Sequence, residues 1–328
     1  MQPILPWHQS MWQYLVDQRN IGKLPHALLI QGLPGVGKTV LAKNLAALLL
    51  CQKSLGNNIF CGECSSCILL QADNHPDFIL VQPEEQRKAI KIDQIREIIV
   101  ELNNTSHQGG MKVVIIESAE LLGIAAANAL LKTLEEPATG TLLVLISSYP
   151  LLLPATIRSR CQMVSIDIPE YSIACNWLKQ EVPGADIELL LSLAENAPLK
   201  ALGFVKEGIL QKRQEFFNNL YALQESEISL EQMITKSIAW GLDNLIITFM
   251  YIINDLVKCK LAVAENIINK DQKEKLCFYA SKINMDKLLY YRDKLYELRT
   301  CLMHKINLNQ QLVIENLIIS WLQICEGV

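Results

Sequence analysis

The octapeptide GLPGVGKT, from Gly32 to Thr39, constrains the fold of this chain more than any other feature. It matches the G-x-x-x-x-G-K-[S/T] pattern, follows an apolar run of strand length (Ala27–Ile30) and opens a predicted helix (Thr39–Leu50), which is the context that the pattern requires. Its glycines let backbone N–H groups turn toward phosphate oxygens, and the helix N-terminus adds a favourable dipole. The pattern predicts that Lys38 reaches the β- and γ-phosphates of a nucleotide and that Thr39 ligates Mg²⁺. It therefore favours a nucleotide site over the alternative, a decayed loop kept only for its turn.

A second, acidic motif decides what such a site can do. In KVVIIESAE, Glu117 takes the place where an aspartate usually holds the Mg²⁺ shell, and Ser118 takes the place of the carboxylate that orients the attacking water. A serine cannot act as that base. Glu120 is expected to lie elsewhere, as a solvated carboxylate near a helix start. The site is therefore predicted to bind nucleotide and to hydrolyse it poorly. Its predicted cofactor-binding residues are Gly32, Pro34, Gly35, Gly37, Lys38, Thr39 and Glu117.

A cluster of cysteines interrupts the same region. Cys51, Cys61, Cys64 and Cys67 form two consecutive C-x-x-C spacings with a fourth cysteine nearby, which suits a tetrahedral four-thiolate Zn²⁺ site. An iron–sulfur cluster and unbound thiols are the alternatives. Because four protein ligands close the coordination sphere, the predicted zinc is structural and its module spans about residues 51–67. The other six of the ten cysteines are scattered singly and are expected to be core or surface thiols.

The order of apolar and helical segments indicates the domain organisation. Strand-like and helical segments alternate up to Pro169, which predicts a mostly parallel α/β sheet over residues 1–168. Beyond it almost only helical periodicity remains, which predicts a small helical unit (169–208) and a helical bundle (209–328). The predicted strands are Ala27–Ile30, Phe78–Val81, Val113–Ile116, Leu142–Ile146 and Met163–Ile168. The clearest helix face, predicted to be bundle core or a face that packs on other subunits, consists of Leu288, Tyr291, Leu295, Leu298 and Leu302.

The length and composition of the chain exclude several classes of protein. A chain of 328 residues allows about two or three domains, and its 50% hydrophobic content excludes a disordered chain. A net charge of −4 argues against a free-standing nucleic-acid binder. The N-terminus lacks a signal-peptide pattern, and the apolar stretch Leu245–Ile253 is far shorter than the ~20 residues that span a bilayer. We therefore expect a soluble, cytoplasmic protein.

A third motif, LPATIRSRC, follows the predicted strand Leu142–Ile146 and contains Arg160. A single exposed arginine is usually a solvated charge. At this place in a P-loop domain it can also project into the nucleotide site of a neighbouring subunit as an arginine finger. Arg160 is therefore the candidate catalytic residue of this chain, acting in trans.

Taken together, these motifs make the chain similar to the bacterial clamp-loader subunits of the AAA+ superfamily, and most similar to the delta-prime family of DNA polymerase III. The gamma/tau motor subunits are close relatives, since they share the cysteine module, the P-loop, the LLKTLEEP stretch and the SRC motif. The matching stretches are PWHQ (Pro6–Gln9), LPHALLIQGLPGVGKT (Leu24–Thr39), the four-cysteine module, NHPDF (Asn74–Phe78), AAANALLKTLEEP (Ala125–Pro137), LPATIRSRC (Leu153–Cys161) and the last helix (Ile306–Leu317).

Departures from the motor pattern distinguish the two relatives. Motor subunits carry an Asp-Glu pair where this chain has Glu117 and Ser118. They also carry a sensor arginine in the second domain, at the place of Leu199 in this chain, with Lys200 beside it. In the family that the chain resembles, the first sensor lies at the place of the serine pair Ser147 and Ser148, and we assign a role to neither residue. The mixture of lost motor features and a retained SRC arginine is typical of delta-prime subunits.

The resemblance implies a subunit of a hetero-pentameric loader that uses ATP to open a sliding clamp and place it on primed DNA. The implied fold is an AAA+ P-loop domain with a zinc-module insert, a helical lid (169–208) and an all-α collar domain for oligomerisation (209–328). Its implied partners are the gamma/tau and delta subunits, with the clamp and primed DNA reached through the complex. Zinc is the implied structural cofactor, with ATP and Mg²⁺ at the P-loop, and Arg160 completes the ATP site of an adjacent motor subunit.

The implied enzymology is that of a component of the DNA polymerase III holoenzyme, a nucleotidyltransferase, in which this chain has weak or absent ATPase activity of its own. Two alternatives belong to other classes. A catalytically active, gamma/tau-like ATPase motor is disfavoured by Ser118. A nucleotide-dependent DNA-binding module is disfavoured by the near-neutral composition and by the lack of a basic aromatic stretch.

Overall fold

The chain forms two compact units in the computed structural model, which describes residues 2–53, 58–84, 89–106, 110–261, 263, 265, 267–303, 306 and 308–325. The first unit comprises Met1–Glu181 and Asn196–Lys200. The second comprises Val182–Glu195 and Ala201–Val328. An α/β first unit and an all-helical second unit agree with the change of periodicity in the sequence.

A parallel sheet forms the centre of the first unit. Its strands are β1 (Ala27–Gln31), β2 (Phe78–Val81), β3 (Lys112–Ile116), β4 (Thr141–Ser147) and β5 (Gln162–Ser165). The strand order is β2-β3-β4-β1-β5, and every neighbouring pair is parallel. The predicted α/β domain with a mostly parallel sheet is confirmed.

The last strand is shorter than the sequence predicts. An apolar run suggested Met163–Ile168, whereas β5 ends at Ser165. Its only partner among the described strands, β1, ends at Gln31, which pairs with Ser165. The chain of β1 then turns into the glycine loop, so the ladder has no partner strand beyond this point.

Helices cover both faces of this sheet. They are α1 (Gln9–Asn20), α2 (Lys38–Leu50), α3 (Ser65–Gln71), α4 (Ile92–Asn103), α5 (Ile124–Glu135), α6 (Ala155–Arg158) and α7 (Tyr171–Glu181). Successive residues of β1 face opposite cores: Leu28 and Ile30 lie in one, Ala27 and Leu29 in the other. Burial on both faces explains why the strands read as continuous apolar runs rather than as alternating ones.

The parallel topology gathers the functional positions. Because parallel strands end at the same edge, the residues that follow β1, β3 and β4 come together there. These are Gly32, Glu117 and Ser148. The loop before α2, the acidic motif and the serine pair therefore meet at one place in the first unit.

The second unit is built from helices. They are α8 (Ile187–Leu193), α10 (Ile209–Gln224), α11 (Leu230–Trp240), α12 (Leu242–Lys260), α13 (Lys273–Lys282), α14 (Met285–Met303) and α15 (Gln310–Cys325), while α9 (Pro198–Lys206) contains residues of both units. On α14, Leu288, Tyr291 and Leu295 are buried in the bundle core. Leu298 and Leu302 are partly buried against the same core, so the predicted stripe is core.

A buried polar network fixes the segment between α12 and α13. Asp255 is fully buried, and its carboxylate accepts hydrogen bonds from the backbone N–H groups of Ile268 and Asn269. Arg213 donates to Asn269 Oδ1 at 2.7 Å and to Asp271 Oδ1 at 2.8 Å. Burial raises the pKa of Asp255, although these hydrogen bonds oppose the rise. Such a network is strongly destabilised when one partner is removed.

No single helix among the described residues has the length and apolarity needed to cross a membrane. Helices α11 and α12 are joined at Gly241 with a bend of 109°. Only when they are counted together are they long and apolar enough to span a membrane, by length and composition alone.

Candidate functional site

The glycine loop before α2 is held in a conformation that only glycine adopts easily. Gly35 and Gly37 have φ values of 83° and 91°, in the left-handed region. A Cβ atom on Gly35 would lie 2.6 Å from the backbone nitrogen of Lys200. One on Gly37 would lie 2.5 Å from Leu5 Cδ1 and 2.8 Å from His8 Cε1. The glycines of the motif are therefore required by close packing as well as by backbone angles.

Lys38 is buried and hydrogen-bonded within its own loop. Its Nζ donates to the carbonyl oxygens of Gly32 and Leu33, both at 2.8 Å, and to Ser148 Oγ at 3.0 Å. Burial lowers the pKa of Lys38 to about 8, while the nearby charge of Glu120 raises it. The ammonium group that the motif is expected to place against phosphates is therefore already hydrogen-bonded to oxygen atoms of this chain.

A cavity of about 290 Å³ opens beside this lysine. Most of the predicted nucleotide-binding residues line it, and the remaining one, Gly32, supplies a carbonyl to Lys38. Lys38 is the one basic side chain among the described lining residues. The cavity is lined by Pro34, Gly35, Gly37, Lys38, Thr39, Val40, Glu117, Ser118, Ile146, Ser148 and Leu199.

The acidic motif places Glu117 before Ser118 and Glu120 after it. Glu117 accepts a hydrogen bond from Gln82 Nε2 at 2.6 Å. Ser118 has left-handed backbone angles, with φ 51° and ψ 50°. Its side chain is a hydroxyl, so the cavity has no carboxylate at the position of the usual base.

Glu120 does not lie where the sequence suggested. The expectation of a solvated carboxylate is wrong, because residues 119–121 form a 3₁₀ turn that returns Glu120 to the site. Its Oε1 accepts from the backbone N–H of Ser148 at 3.4 Å, and its buried Oε2 has no hydrogen-bond partner. A second carboxylate therefore belongs to the polar cluster around Lys38, which sequence reasoning missed.

The N-terminal segment braces the loop, which sequence reasoning also missed. The side chains of Trp7 and His8 both contact Val36 O, from Trp7 Nε1 at 2.8 Å and from His8 Nε2 at 2.8 Å. Since a carbonyl oxygen only accepts, His8 carries a proton on Nε2. Burial lowers the pKa of His8, and the bond to Val36 opposes this. Trp7 also packs edge-on against Trp177, with ring centroids 5.4 Å apart.

A backbone contact closes the other side of the loop. The N–H of Leu199 donates to the carbonyl oxygen of Gly35 at 3.0 Å. Leu199, an apolar residue, lines the cavity at the place where the family resemblance predicts a sensor arginine. Among the described lining residues, therefore, no guanidinium faces the site.

The four cysteines of the predicted metal module come together. All four Sγ atoms lie within 4.8 Å of one another, with Cys51 3.6 Å from Cys61 and Cys61 3.9 Å from Cys67. Four thiolates around one Zn²⁺ at Zn–S distances of ~2.3 Å would be ~3.8 Å apart, so the group fits this ion. The predicted tight turn is present, since Gly62 has a φ of 72°. These cysteines could hold a metal ion.

Backbone donors support the sulfurs. The N–H of Cys61 points to the sulfur of Cys51 at 3.4 Å, and the N–H of Cys64 points to that of Cys61 at 3.3 Å. Burial raises the pKa of the Cys64 thiol, but hydrogen bonds from Cys67 and Gln52 outweigh it, and the pKa falls to about 6. Donors of this kind favour thiolates, the form in which cysteine binds metals.

Arg160 lies outside the P-loop cavity, between α6 and β5. Its Nε donates to Glu135 Oε1 at 2.9 Å, and its Nη1 donates to the carbonyl oxygen of Thr156 at 2.9 Å. The side chain is 35% exposed. The guanidinium is therefore a partly exposed group in a defined position rather than a freely moving surface charge.

Known proteins match both halves of the chain. The family described as "DNA polymerase III, delta subunit" matches residues 7–170, and "DNA polymerase III, delta subunit, C terminal" matches residues 207–323. The DNA polymerase III subunit delta' of Pseudomonas aeruginosa is 33% identical over an alignment of 328 positions that covers 98% of each chain. That of Yersinia pestis is 34% identical over 96% of this chain and 94% of its own, and that of Escherichia coli is 40% identical over 64% and 63%. The chain therefore belongs to the family of DNA polymerase III delta-prime subunits.

Proposed function

We propose that this chain is a non-motor subunit of the DNA polymerase III clamp loader, with gamma/tau and delta subunits as its partners. In this proposal residues 1–168 form an AAA+ domain, residues 169–208 a helical lid and residues 209–328 the collar that joins the pentamer. Membership of the delta-prime family supports the assignment. The sliding clamp and primed DNA are reached through the assembled complex, in the cytoplasm.

One observation carries the non-motor part of the proposal: a complete phosphate loop faces a serine instead of a carboxylate. Ser118 and Leu199 line the cavity at the places of the usual base and of a sensor arginine. The chain then binds ATP without hydrolysing it efficiently. Lys38 would leave its carbonyl acceptors to meet the phosphates, while Thr39 and Glu117 would hold Mg²⁺, which neutralises phosphate charge.

Zinc is the metal that we propose for the cysteine cluster. Cys51, Cys61, Cys64 and Cys67 would be its ligands, and the fit of their spacing to a tetrahedral S₄ set supports this choice. With no position left for water or substrate, the ion would stabilise the insert and take no part in chemistry.

Arg160 is the residue through which this subunit would act on its neighbour. A guanidinium supplied in trans stabilises negative charge on a γ-phosphoryl group during transfer. The hydrogen bonds that Arg160 donates to Glu135 Oε1 and to the carbonyl oxygen of Thr156 hold its side chain in a defined position at the surface. We therefore assign Glu135 as its positioning residue.

A gamma/tau-like motor is the competing candidate, and Glu120 is the observation that favours it. Its unpartnered Oε2 lies near Lys38 and could replace the missing carboxylate at residue 118. The test is ATP turnover by the isolated chain and by its Lys38→Ala and Glu120→Gln variants. The non-motor proposal predicts little turnover in all three. Brisk turnover that both substitutions abolish would establish the motor and assign Glu120 as its base.

A further inference from the structure

Two cysteines that are far apart in the sequence meet in the second unit. Cys259 lies near the end of α12, and Cys277 lies in α13, 18 positions further along the chain. The sequence predicts two single thiols, because neither residue belongs to a spacing pattern. In the structure their Sγ atoms lie 2.7 Å apart. The two residues therefore form a dithiol pair, which the sequence alone did not indicate.

The separation of this pair differs from that of sulfur atoms in the four-cysteine cluster. There, Cys51 and Cys61 are 3.6 Å apart, and Cys61 and Cys67 are 3.9 Å apart. The 2.7 Å between Cys259 and Cys277 is closer to the ~2.05 Å of a disulfide bond than to these contacts. Formation of that bond therefore needs a shift of only about 0.7 Å.

Groups other than the thiols hold the two helices together at this place. Asp255, one turn before Cys259, accepts hydrogen bonds from the backbone N–H groups of Ile268 and Asn269 at 2.9 and 2.8 Å. A 3₁₀ turn over residues 270–272 then leads directly into α13. Leu276, the residue before the second cysteine, is buried in the bundle core. The contact between the sulfur atoms is therefore built into the fold and does not depend on a bond between them.

The surroundings of the pair allow exchange with a small reagent. Both residues are half-buried, and the contact between their sulfur atoms is only partly buried. Burial, the hydrogen bond with Cys277 and the charge of Asp255 raise the pKa of Cys259 to about 12, while the charge of Lys273 opposes the rise. Because the thiolate is the nucleophile in thiol–disulfide exchange, Cys259 is a poor first nucleophile, and this role falls to Cys277.

We propose that Cys259 and Cys277 form a reversible disulfide bond by exchange with a low-molecular-weight disulfide. The thiolate of Cys277 attacks one sulfur of the small disulfide and displaces the other as a thiolate. Cys259 then gives up its proton, attacks the Cys277 sulfur of this mixed disulfide and displaces the second small thiolate. Two protein thiols are oxidised, one small disulfide is reduced, and the two protons pass to the two thiolates that leave. The site lies in the second unit and does not depend on the function proposed above.

The test uses the full-length chain in buffers that contain reduced and oxidised glutathione. Free thiols are alkylated, and trypsin without reductant then releases residues 259–260 and 276–282 as separate peptides, because a lysine precedes and ends each of them. Mass spectrometry should detect these two peptides joined, in an amount that rises with the share of oxidised glutathione and falls when reduced glutathione is added. This readout does not depend on whether the four-cysteine cluster holds a metal.

Thermal unfolding gives a second, independent measurement. A bond between α12 and α13 closes a loop in the unfolded chain and so reduces its conformational entropy. The oxidised chain should therefore unfold several degrees higher than the reduced chain. In Cys259→Ser and in Cys277→Ser the same oxidation should leave the unfolding temperature unchanged.

Matched serine variants test the pairing and the order of the steps. Cys259→Ser should stop at a mixed disulfide between glutathione and Cys277, whereas Cys277→Ser should react at least several-fold more slowly. Cys301→Ser, which removes a half-buried cysteine of α14, is the control and should leave the joined peptides unchanged. Thermal unfolding of each reduced variant checks that it folds. The proposal is overturned if the joined peptides do not form in excess oxidised glutathione, if they persist in excess reduced glutathione, or if Cys301 reacts as fast as Cys277.

Discussion

The cysteine cluster and the P-loop cavity lie in the same unit but differ in what the chain itself already supplies. In the cluster, the four sulfur atoms lie within 4.8 Å of one another. In the cavity, Lys38 is hydrogen-bonded to two carbonyl groups of its own loop and to Ser148. In our proposal an ion completes the first arrangement, whereas Lys38 must leave its acceptors before a nucleotide can bind in the second. This difference suits a permanent structural metal on one side and weak nucleotide binding on the other.

Loss of a sulfur should have the largest effect. Cys64→Ser should abolish stoichiometric zinc and unfold the insert, because structural Zn²⁺ contributes an apparent ~10–16 kcal/mol in small zinc domains. Elemental analysis and thermal unfolding measure both effects. Cys175→Ser, a single cysteine on α7, is the control and should keep the metal. A wild-type protein that contains iron or no metal would contradict the zinc assignment.

A pair of glycine substitutions compares the packing of the two regions. Gly35 and Gly62 are both left-handed, but a Cβ on Gly35 meets Lys200 whereas one on Gly62 meets nothing within 4 Å. Gly62→Ala should therefore cost only backbone strain, about 1–2 kcal/mol. Gly35→Ala should lower the free energy of unfolding by a further ~1–3 kcal/mol, because the added methyl group overpacks the loop. Urea unfolding of the zinc-loaded variants gives both values, and equal losses would show that the loop is not closely packed.

The lowered pKa of Lys38 makes nucleotide binding depend on pH. Only the protonated amine attracts phosphates, and its pKa in the free protein is about 8. The affinity for ATP should therefore fall as the pH rises through 8, by up to about tenfold at pH 9. Calorimetry at pH 7 and pH 9 measures this change. In Glu120→Gln the fall should begin at lower pH, because the carboxylate that raises the pKa is gone, and a pH-independent affinity would contradict the role of Lys38.

A rise in pH should weaken ATP binding through Lys38 but should increase the stability of the folded chain. Its pKa is lower in the folded protein than the ~10.4 of an unfolded chain, so the unfolded state binds more protons between these values. Lys38 should therefore add stability as the pH rises from about 8 to 10. The difference between wild type and Lys38→Met in unfolding free energy, measured over that range, checks the sign.

The sequence predicted the strands and the glycine loop because each leaves a local signal. Doubly buried parallel strands such as β3 are unbroken apolar runs, and the loop needs glycines at fixed spacing. Glu120 and Trp7 were missed for a physical reason. The 3₁₀ turn that redirects Glu120 has no strong local signature, and the bond from Trp7 to Val36 joins residues 29 positions apart.

Arg160 and Lys38 should have opposite importance in the assembled clamp loader, and this contrast tests the central claim. The decisive measurement is DNA- and clamp-stimulated ATP turnover of the reconstituted complex that contains this chain as wild type, Arg160→Ala or Lys38→Ala. We predict that Arg160→Ala slows turnover several-fold, less than the ~10³–10⁵ of an isolated arginine-finger site because other motor sites remain. Arg160→Ala should lower the free energy of unfolding of this chain by no more than about 1 kcal/mol, since it removes a partly exposed ion pair with Glu135. Lys38→Ala should leave turnover nearly unchanged. Loss of turnover with Lys38→Ala and none with Arg160→Ala would show that this chain is itself a motor.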